Sequence, residues 1–362
     1  KNQSLVKQVG KLKNLSFFNQ LGTFYDRTQR LKKLASLISE QLNLKKEKVE
    51  IASSICKADL VSDLVGEYPE LQGVMGKYFA IEQGFEKDVA LAVSDHYLPT
   101  GFNSSVPKKP IGSAVAIIDK IDTMVGFFGI NEKPTSSKDP FALRRSAIGL
   151  LRIIMENKLN IQVKDLINYS IAIYNEQKVE FSNDNLIQDI LFFLRERFKN
   201  LLKEGKIRSD IIEAVEASYS GDNFLSLYQK CLTINKNISK DICKNIIGTY
   251  KRASNIIDHE LKTKKVNIMG EPELFLFKKD EEKNLYEKIN EIRQYFSSVK
   301  KMESYDETLE ILAGAKSATD NFFENVIVND ENLDIKKNRL ELLQMFCKTY
   351  NSFIDFSKVE GV

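Results

Sequence analysis

The stretch FYDRTQRLKKLASLISEQL, residues 24–42, gives the clearest structural signal in this sequence. Its apolar residues recur at spacings of three, four and seven, which is the period of one face of an amphipathic helix. Two later segments repeat this pattern. The apolar positions of the three segments are Phe24, Leu31, Leu34, Ala35, Ile38 and Leu42, then Ile187, Ile190, Leu191, Leu194, Phe198, Leu201 and Leu202, then Leu340, Leu343, Phe346, Tyr350 and Phe353. Alternating runs with Asn-Gly or Asp-Gly turns are missing, so we predict an all-α fold.

Helix-breaking residues are concentrated between residues 99 and 140. They predict two loops, marked by Pro99, Gly101, Pro107, Pro110 and Gly112 and then by Gly126, Gly129 and Pro134. No proline occurs between Pro140 and Pro272. We therefore predict a loop-decorated helical domain in residues 1–158, a helical linker or body in residues 159–246, and a final helical domain in residues 247–362.

The composition limits what the chain can do. Of its 362 residues 43% are apolar and 28% charged, and the net charge is only +3, so a nucleic-acid surface has to be local. The cysteines Cys56, Cys231, Cys243 and Cys347 form no CxxC pair, and only two histidines accompany them, which argues against a zinc site. No apolar run approaches the roughly 20 residues of a membrane span. Because the sequence begins at Lys1 without a signal peptide or initiator Met, we expect a cytoplasmic protein and a piece of a longer chain.

Several unusual strings occur in the N-terminal half. In order they are LGTFYDR (21–27), CKADLV (56–61), PELQGVMG (69–76), IDKIDTMVG (118–126) and KDPFALRR (138–145). Together they closely resemble the HD-like domain of the bacterial glycyl-tRNA synthetase β subunit. DNFFENV (320–326) and NRL (338–340) resemble that family's anticodon-binding domain, which is related to the DALR type. The resemblance covers essentially the whole chain but only the C-terminal portion of the family's subunit.

The resemblance implies a function in joining glycine to its tRNA. In this family the enzyme is an α₂β₂ tetramer whose α subunit holds the class II active site and uses ATP and Mg²⁺, while the β subunit binds tRNA. We therefore expect glycine tRNA and the α subunit as partners, and no cofactor, membrane or DNA for this chain. The sequence has no HIGH string, no KMSKS-like string and no G-x-x-x-x-G-K-[ST] loop, in agreement with a noncatalytic role.

An HD phosphohydrolase is the main alternative. Such an enzyme holds its metal with a histidine, a His-Asp pair and a distant Asp, and the metal activates water. Here the pair reads Ala58-Asp59, the distant residue is Asp119, and the region of Tyr25–Arg30 has no histidine. We predict that no catalytic metal site is assembled.

The carboxylates of Asp59 and Asp119 still need a partner if they are buried. We hypothesise that Arg27, Arg30 or Lys57 supplies positive charge in place of the metal, which would turn the centre into a structural ion-pair cluster. The alternative is that one or both of Asp59 and Asp119 reach solvent. His96 is typical of a helix end or a surface position, and we assign it no role.

One candidate RNA surface precedes a helix predicted to start near residue 139. Asp139 suits the N-cap and Pro140 the first helical position, and such a terminus favours phosphate through its free N–H groups. The basic residues that could extend this surface are Lys133, Lys138, Arg144 and Arg145. The alternative to an RNA surface is purely structural: the helix is capped, and one of the two arginines forms a pair within the chain.

A second candidate surface lies in the last domain. Tyr250-Lys251-Arg252 and Lys336-Lys337-Asn338-Arg339 are each predicted to open a helix, and Lys251, Arg252, Lys336, Lys337 and Arg339 are candidates for RNA contact. Glycine tRNAs share two cytosines in their anticodons. Arginine can donate hydrogen bonds to the acceptor atoms of an unstacked cytosine. Phe322 and Phe323 either stack on bases or belong to the core. A helical module that mainly docks protein is a third, weaker interpretation of the chain.

Overall fold

A computed structural model gives the fold of this chain and describes residues 4–101, 103–219, 221–263, 268, 270–298 and 304–360. The contacts divide the chain into two compact units, residues 1–201 with 222–226, and residues 202–221 with 227–362. Most of the chain is helical, which confirms the predicted all-α class. Among the described residues, no helix combines the length and the apolar character that crossing a bilayer requires.

The described residues of the first unit form ten helices and a short antiparallel hairpin. The helices are α1 (Leu5–Lys11), α2 (Phe24–Gln41), α3 (Lys46–Ile55), α4 (Asp63–Glu67), α5 (Val74–Glu82), α6 (Lys87–Asp95), α7 (Pro110–Gly129), α8 (Leu143–Glu156), α9 (Val163–Glu176) and α10 (Leu186–Glu204), which extends beyond this unit after residue 201. The strands are β1 (Ser16–Phe18) and β2 (Gly22–Thr23). Short 3-10 turns span Leu12–Asn14, Ala58–Val61 and Pro69–Leu71.

Helix α2 shows why the opening stretch of sequence folds as it does. The Thr23 hydroxyl accepts a hydrogen bond from the Asp26 backbone N–H, and the Asp26 carboxylate accepts one from the Thr23 N–H, so the first turn is closed reciprocally. The apolar face predicted from the sequence is buried through Leu31, Leu34, Ala35 and Ile38. This face packs against α3, α7 and α9.

Helix α7 is the centre of the first unit, because all its residues from Ile111 to Gly129 are buried. Helices α2, α3, α6, α8 and α9 pack around it. The prediction of a loop at Gly126 and Gly129 is wrong, since both lie in the last turns of α7. A Cβ at Gly126 would lie 2.4 Å from the Tyr174 hydroxyl oxygen, and one at Gly129 would lie 2.3 Å from the Phe181 ring. These glycines therefore permit close packing rather than a turn. Gly112, placed in the first predicted loop, also lies in α7.

The second unit is built from a further set of helices. They are α11 (Ser209–Ala217), α12 (Phe224–Asn237), whose residues up to 226 belong to the first unit, α13 (Asp241–Thr263), α14 (Asp280–Ser298), α15 (Tyr305–Ala313), α16 (Lys316–Asn325) and α17 (Leu333–Asn351), with 3-10 turns at Leu274–Leu276 and Phe356–Lys358. Helix α13 packs against α15, α16 and α17. The apolar positions predicted for α17 are buried, among them Leu340, Leu343, Phe346 and Tyr350.

The predicted division at residues 158 and 246 differs from the two compact units. Helix α9 follows residue 158 but packs against α2 and α7, which precede it. Residue 246 lies inside α13. The three-part division remains a prediction about domains.

Candidate functional site

A cluster of buried ion pairs occupies the place where the HD resemblance would put a metal. Arg27 on α2 donates through Nη2 to Asp119 Oδ1 at 2.9 Å and to the Thr123 hydroxyl at 2.6 Å. Lys57, just before the Ala58–Val61 turn, brings its Nζ to 3.1 Å from the same Asp119 oxygen. Arg27 and Lys57 therefore both form an ion pair with Asp119, as the hypothesis of an ion-pair cluster requires.

A second buried pair lies one helical turn along α7. Arg30 Nε is 2.6 Å from Asp122 Oδ1, and both side chains are fully buried. Arg30 also donates to the Leu21 carbonyl and to Gln177 Oε1, and its guanidinium lies 4.1 Å from the centre of the Tyr174 ring. Asp122, which we did not identify from the sequence, is therefore the main counter-charge of Arg30.

The charges in this cluster control each other's ionisation. Burial alone would raise the pKa of Asp119, but the positive charges of Arg27 and Lys57 outweigh burial and hold that pKa well below its usual range. Burial lowers the pKa of Lys120 to about 8, although its Nζ donates to the Leu98 carbonyl at 2.7 Å. Asp119 therefore stays ionised beside its two cations.

Asp59 has a different environment, in which backbone N–H groups hold the carboxylate. Its Oδ2 accepts hydrogen bonds from the backbone N–H groups of Gly73 and Gly76, at 2.6 and 2.9 Å. A Cβ on Gly73 would lie 2.6 Å from Tyr97, and one on Gly76 would lie 2.6 Å from Val93 and 2.9 Å from Asp59. The string PELQGVMG thus needs its glycines so that two backbone amides can reach a buried carboxylate. Burial raises the pKa of Asp59 although the charge of Lys57 opposes this, and no ion pair of the hypothesised kind forms at this carboxylate among the described residues.

His96 lies at the C-terminal end of α6 and is fully buried. Its Nδ1 is 2.8 Å from the Val93 carbonyl oxygen, and its ring lies against that of Tyr97. Burial and the Lys57 charge lower its pKa well below the usual value, so the ring is neutral. The helix-end prediction is confirmed, whereas the surface alternative is wrong. Among the described residues, no three histidine, cysteine or acidic side chains are grouped to hold a metal.

The basic residues around α8 are arranged differently from the prediction. Helix α8 begins at Leu143, with Ala142 as its N-cap, and not at Pro140. The Asp139 carboxylate accepts hydrogen bonds from the backbone N–H groups of Leu143 and Arg144, at 2.8 and 3.0 Å. The prediction of an anion site at this helix terminus is therefore wrong, because a carboxylate of the chain already occupies it.

The predicted basic side chains of this region divide into two groups. Lys133 forms an ion pair with Asp189, 2.6 Å between Nζ and Oδ2, and Arg144 donates to the Thr135 carbonyl. Lys138 and Arg145 are exposed. The structure thus keeps the side chains of Lys138 and Arg145 accessible, while Lys133 and Arg144 have contacts within the chain.

Arg197 on α10 belongs to the same region but was missed in the sequence. Its guanidinium lies 4.5 Å from the centre of the Phe193 ring. Burial, and next the charge of Arg144, lower its pKa, so the two arginines on α8 and α10 are close enough to repel each other. Periodicity places Arg197 on α10 but does not show that it meets α8. An anion bound near both would relieve the repulsion.

The cations predicted on α17 are largely committed to internal contacts. Arg339 is buried, with Nε 2.7 Å from Glu282 Oε1 and Nη1 2.7 Å from Asp330 Oδ2. Lys336 is also buried, 2.8 Å from Glu260. The prediction that Arg339 and Lys336 contact RNA is wrong for this conformation, because neither charge reaches the surface. Lys337 remains exposed, 3.7 Å from Glu341.

Lys251 and Arg252 lie in the middle of α13, so the prediction that they open a helix is wrong. Arg252 is exposed, and its guanidinium lies 4.2 Å from the centre of the Phe323 ring. Phe322 is fully buried in the core, whereas Phe323 is only partly buried. An accessible guanidinium on an accessible ring is the kind of surface on which an unstacked base can lie.

Comparison with known proteins agrees with this arrangement. A family model described as "DALR anticodon binding domain" matches residues 246–357, and one described as "Glycyl-tRNA synthetase beta subunit" matches residues 1–217. The first places the helical second unit among proteins with anticodon-binding domains. The second matches more than half of the chain. This chain belongs to the glycyl-tRNA synthetase beta subunit family.

Individual relatives support the same assignment. Proteins named "Glycine--tRNA ligase beta subunit" from Clostridioides difficile (strain 630) and Rickettsia canadensis (strain McKiel) are each 35% identical over 359 residues, 99% of this chain and 51% of the relative. One of the same name from Rhodospirillum centenum (strain ATCC 51521 / SW) is 35% identical over 97% of this chain and 49% of its own length. The chain spans about half the length of these relatives.

Proposed function

We propose that this chain is the tRNA-recognising part of a glycine–tRNA ligase β subunit. In this role it supports the ATP-dependent glycylation of glycine tRNA by a partner α subunit, which supplies the ATP and Mg²⁺ chemistry in the cytoplasm. The observation that carries the proposal is the match of residues 246–357 to an anticodon-binding domain in a chain of the β-subunit family. The printed names of the relatives support it.

The second unit would read the anticodon. Arg252 and Phe323 offer a cationic plane beside an aromatic ring at the surface of α13 and α16. A cytosine splayed from the anticodon loop can stack there, and a guanidinium can donate to its ring nitrogen and carbonyl oxygen. Lys251 and Lys337 are two further candidates for RNA contact from the sequence, and we assign them contacts with tRNA phosphates.

The first unit would hold the RNA backbone. Lys138 and Arg145 are exposed, and Arg197 lies near Arg144. Such side chains neutralise phosphates and release counterions, so affinity falls with salt. We assign this surface a positioning role, because phosphate contacts carry no sequence information.

The proposal is tested with the full-length β subunit and its α subunit. Fluorescence anisotropy would measure the affinity of labelled glycine tRNA and of the same tRNA with each anticodon cytosine replaced. We expect each replacement to cost about 1–3 kcal/mol of binding free energy, with a steep dependence on salt. Equal affinity for glycine tRNA and an unrelated tRNA at moderate salt would contradict specific recognition.

The hydrolase alternative is not favoured by any feature of the cluster. An HD enzyme needs the distant Asp as a metal ligand, but Asp119 already holds Arg27 and Lys57 at 2.9 and 3.1 Å. A divalent ion at that carboxylate would lie beside two positive charges. No observation favours the protein-docking module over tRNA recognition either.

A further inference from the structure

A cavity in the first unit is lined by residues of the ion-pair cluster and by six aromatic side chains. Its volume is about 440 Å³, within the range of small-molecule sites. The rings are those of Phe17, Phe18, Phe24, Phe127, Phe141 and Tyr97. Phe127 and Phe141 are stacked with centroids 3.9 Å apart, and Phe17 and Phe18 each meet Phe127 edge to face. Such a wall favours a flat ring as ligand.

The polar floor of this cavity carries more positive than negative charge. Arg27, Lys57 and Asp119 line it, and both cations share the single Asp119 carboxylate. Behind them Asp122 is bound by Arg30 and lies 3.7 Å from Arg27 Nε. These five side chains hold three positive and two negative charges. The unbalanced charge is positive, and in a partly enclosed cavity it attracts an anionic group.

Polar groups that do not belong to the ion pairs also reach the cavity. Gln72 and Ser146 are among its lining residues. Gln72 is exposed and Ser146 half-buried, and an amide can both donate to and accept from the edge of a heterocyclic base. The Tyr97 hydroxyl is buried without a hydrogen-bond partner among the described residues. Neither the ion pairs nor the core packing therefore uses all the polar groups at this cavity.

We infer that this cavity is a nucleotide-binding site, with the base against the phenylalanine rings and the phosphate toward Arg27 and Lys57. The base of a nucleotide is a flat ring that can lie against the phenylalanines and form hydrogen bonds with Gln72. Its phosphate is negative and balances the excess positive charge of the floor. The source of the nucleotide is either a free mononucleotide or one nucleotide of a single-stranded RNA end. The nucleotide is bound and not cleaved. The inference does not depend on anticodon recognition by the second unit.

The test uses the isolated full-length β subunit, without the α subunit and its own ATP site. Isothermal titration calorimetry would measure the binding of AMP, GMP, CMP and UMP and of the four nucleosides. We expect at least one nucleotide to bind at micromolar to low-millimolar concentration, and more tightly than its nucleoside. No heat of binding for any of the four nucleotides at millimolar concentration would overturn the inference.

Two matched variants locate the phosphate. Ser146→Glu and Ser146→Gln add side chains of the same size at the cavity wall but differ in charge. We expect Ser146→Glu to bind the nucleotide at least about tenfold more weakly than Ser146→Gln because of charge repulsion, while the two variants bind the nucleoside equally. Equal nucleotide affinities would overturn the placement of the phosphate at the cavity floor, and with it the inference.

A second pair of variants tests the aromatic wall. Phe141→Ala removes a stacked ring of the cavity, and we expect nucleotide and nucleoside affinities to fall about tenfold, which corresponds to the 1–3 kcal/mol of a base–aromatic contact. Phe275→Ala removes a ring that is 74% exposed and lies outside the cavity, and it should change nothing. Unchanged binding in Phe141→Ala would contradict the site. Competition by a short single-stranded RNA would identify an RNA end as the source, and its absence a free mononucleotide; both support a nucleotide site.

Discussion

Asp122 is a carboxylate with no exposure to water that lies between two arginines. Replacing it by asparagine keeps the shape but leaves Arg30, itself fully buried, without its counter-charge. Removing one partner of a buried pair costs about 3–5 kcal/mol. We expect Asp122→Asn to lower the free energy of unfolding of the first unit by that amount in urea denaturation.

An exposed pair provides the control for this variant. Lys33 and Glu176 also form an ion pair, but the Glu176 side chain is 57% exposed. Glu176→Gln should change stability by less than about 1 kcal/mol, because water screens the pair. A similar loss of stability in both variants would show that burial does not determine how much these ion pairs stabilise the protein.

Lys120 gives the first unit a dependence on alkaline pH. Burial lowers the pKa of Lys120 to about 8 in the folded protein, against about 10.4 in an unfolded chain. Between these values the unfolded chain keeps a proton that the folded protein has released, so stability rises with pH. We expect a rise of as much as about 3 kcal/mol between pH 8 and 10.5.

The variant Lys120→Met isolates this contribution. It should lose the part of the pH-dependent rise that belongs to Lys120, whatever its effect on absolute stability, since Met has no proton to release. Lys164→Met at an exposed position of α9 should keep the rise. Urea denaturation at a series of pH values measures both, and an unchanged slope in Lys120→Met would contradict the assignment.

At the scale of helices, glycine has opposite roles in α7 and α13. Gly126 has the Tyr174 hydroxyl oxygen 2.4 Å from the position of a Cβ, and that ring is held by Arg30. Gly248 in α13 has no heavy atom within 4 Å of that position. We expect Gly126→Ala to destabilise the protein by about 1–3 kcal/mol through overpacking. Gly248→Ala should stabilise it by about 0.5–1 kcal/mol, since alanine is the better helix former.

Thermal unfolding of the two glycine variants compares these effects directly. The same change from glycine to alanine should lower stability in α7 and raise it in α13. Stabilisation by Gly126→Ala would mean that Tyr174 moves away without cost. Such a result would remove the packing argument for this glycine.

Arg339 joins the start of α14, the loop at Asp330 and helix α17 through one guanidinium. We expect Arg339→Gln to lower the stability of the second unit by about 3–5 kcal/mol, because the buried carboxylate of Glu282 loses its cation. It should leave the salt dependence of tRNA binding unchanged at temperatures where the variant is folded. A change of about 1 in the slope of log affinity against log salt would instead mean that Arg339 meets phosphate.

Periodic apolar residues predicted the helices better than single residues predicted the sites. The faces of α2 and α17 follow from spacing alone, because burial of one side is repeated along each helix. Gly126 and Gly129 were misjudged, since a glycine that admits Tyr174 or Phe181 looks the same in sequence as one in a loop.

The same limit applies to charged residues. The lack of a histidine at the HD positions and the presence of Arg27 and Lys57 suggested an ion-pair cluster at Asp119, but the sequence left open the alternative that this carboxylate reaches solvent. Arg339 was misassigned because its partner Glu282 is far away in sequence, and a basic residue does not reveal whether it is buried. Lys138 and Arg145 differ from Lys133 only in tertiary contacts.

For the whole molecule, the two units should contribute to RNA binding in different ways. Arg145 is exposed in the first unit, and the phosphate contacts that we propose there would hold any RNA of the right shape. Arg252 is exposed beside Phe323 in the second unit, where we place the anticodon. A loss of phosphate contact weakens binding to all sequences, whereas a loss of base contact weakens discrimination.

We therefore expect distinct effects of Arg145→Gln and Arg252→Gln in the full-length β subunit with its α subunit. Arg145→Gln should reduce the slope of log affinity against log salt by about 1 and lower the affinities for glycine tRNA and its anticodon variants equally. Arg252→Gln should cost about 1–3 kcal/mol with glycine tRNA but little with a tRNA whose anticodon cytosines are replaced. If Arg252→Gln weakened both RNAs equally, Arg252 would be a phosphate contact, and the base-reading surface would have to lie elsewhere on the second unit.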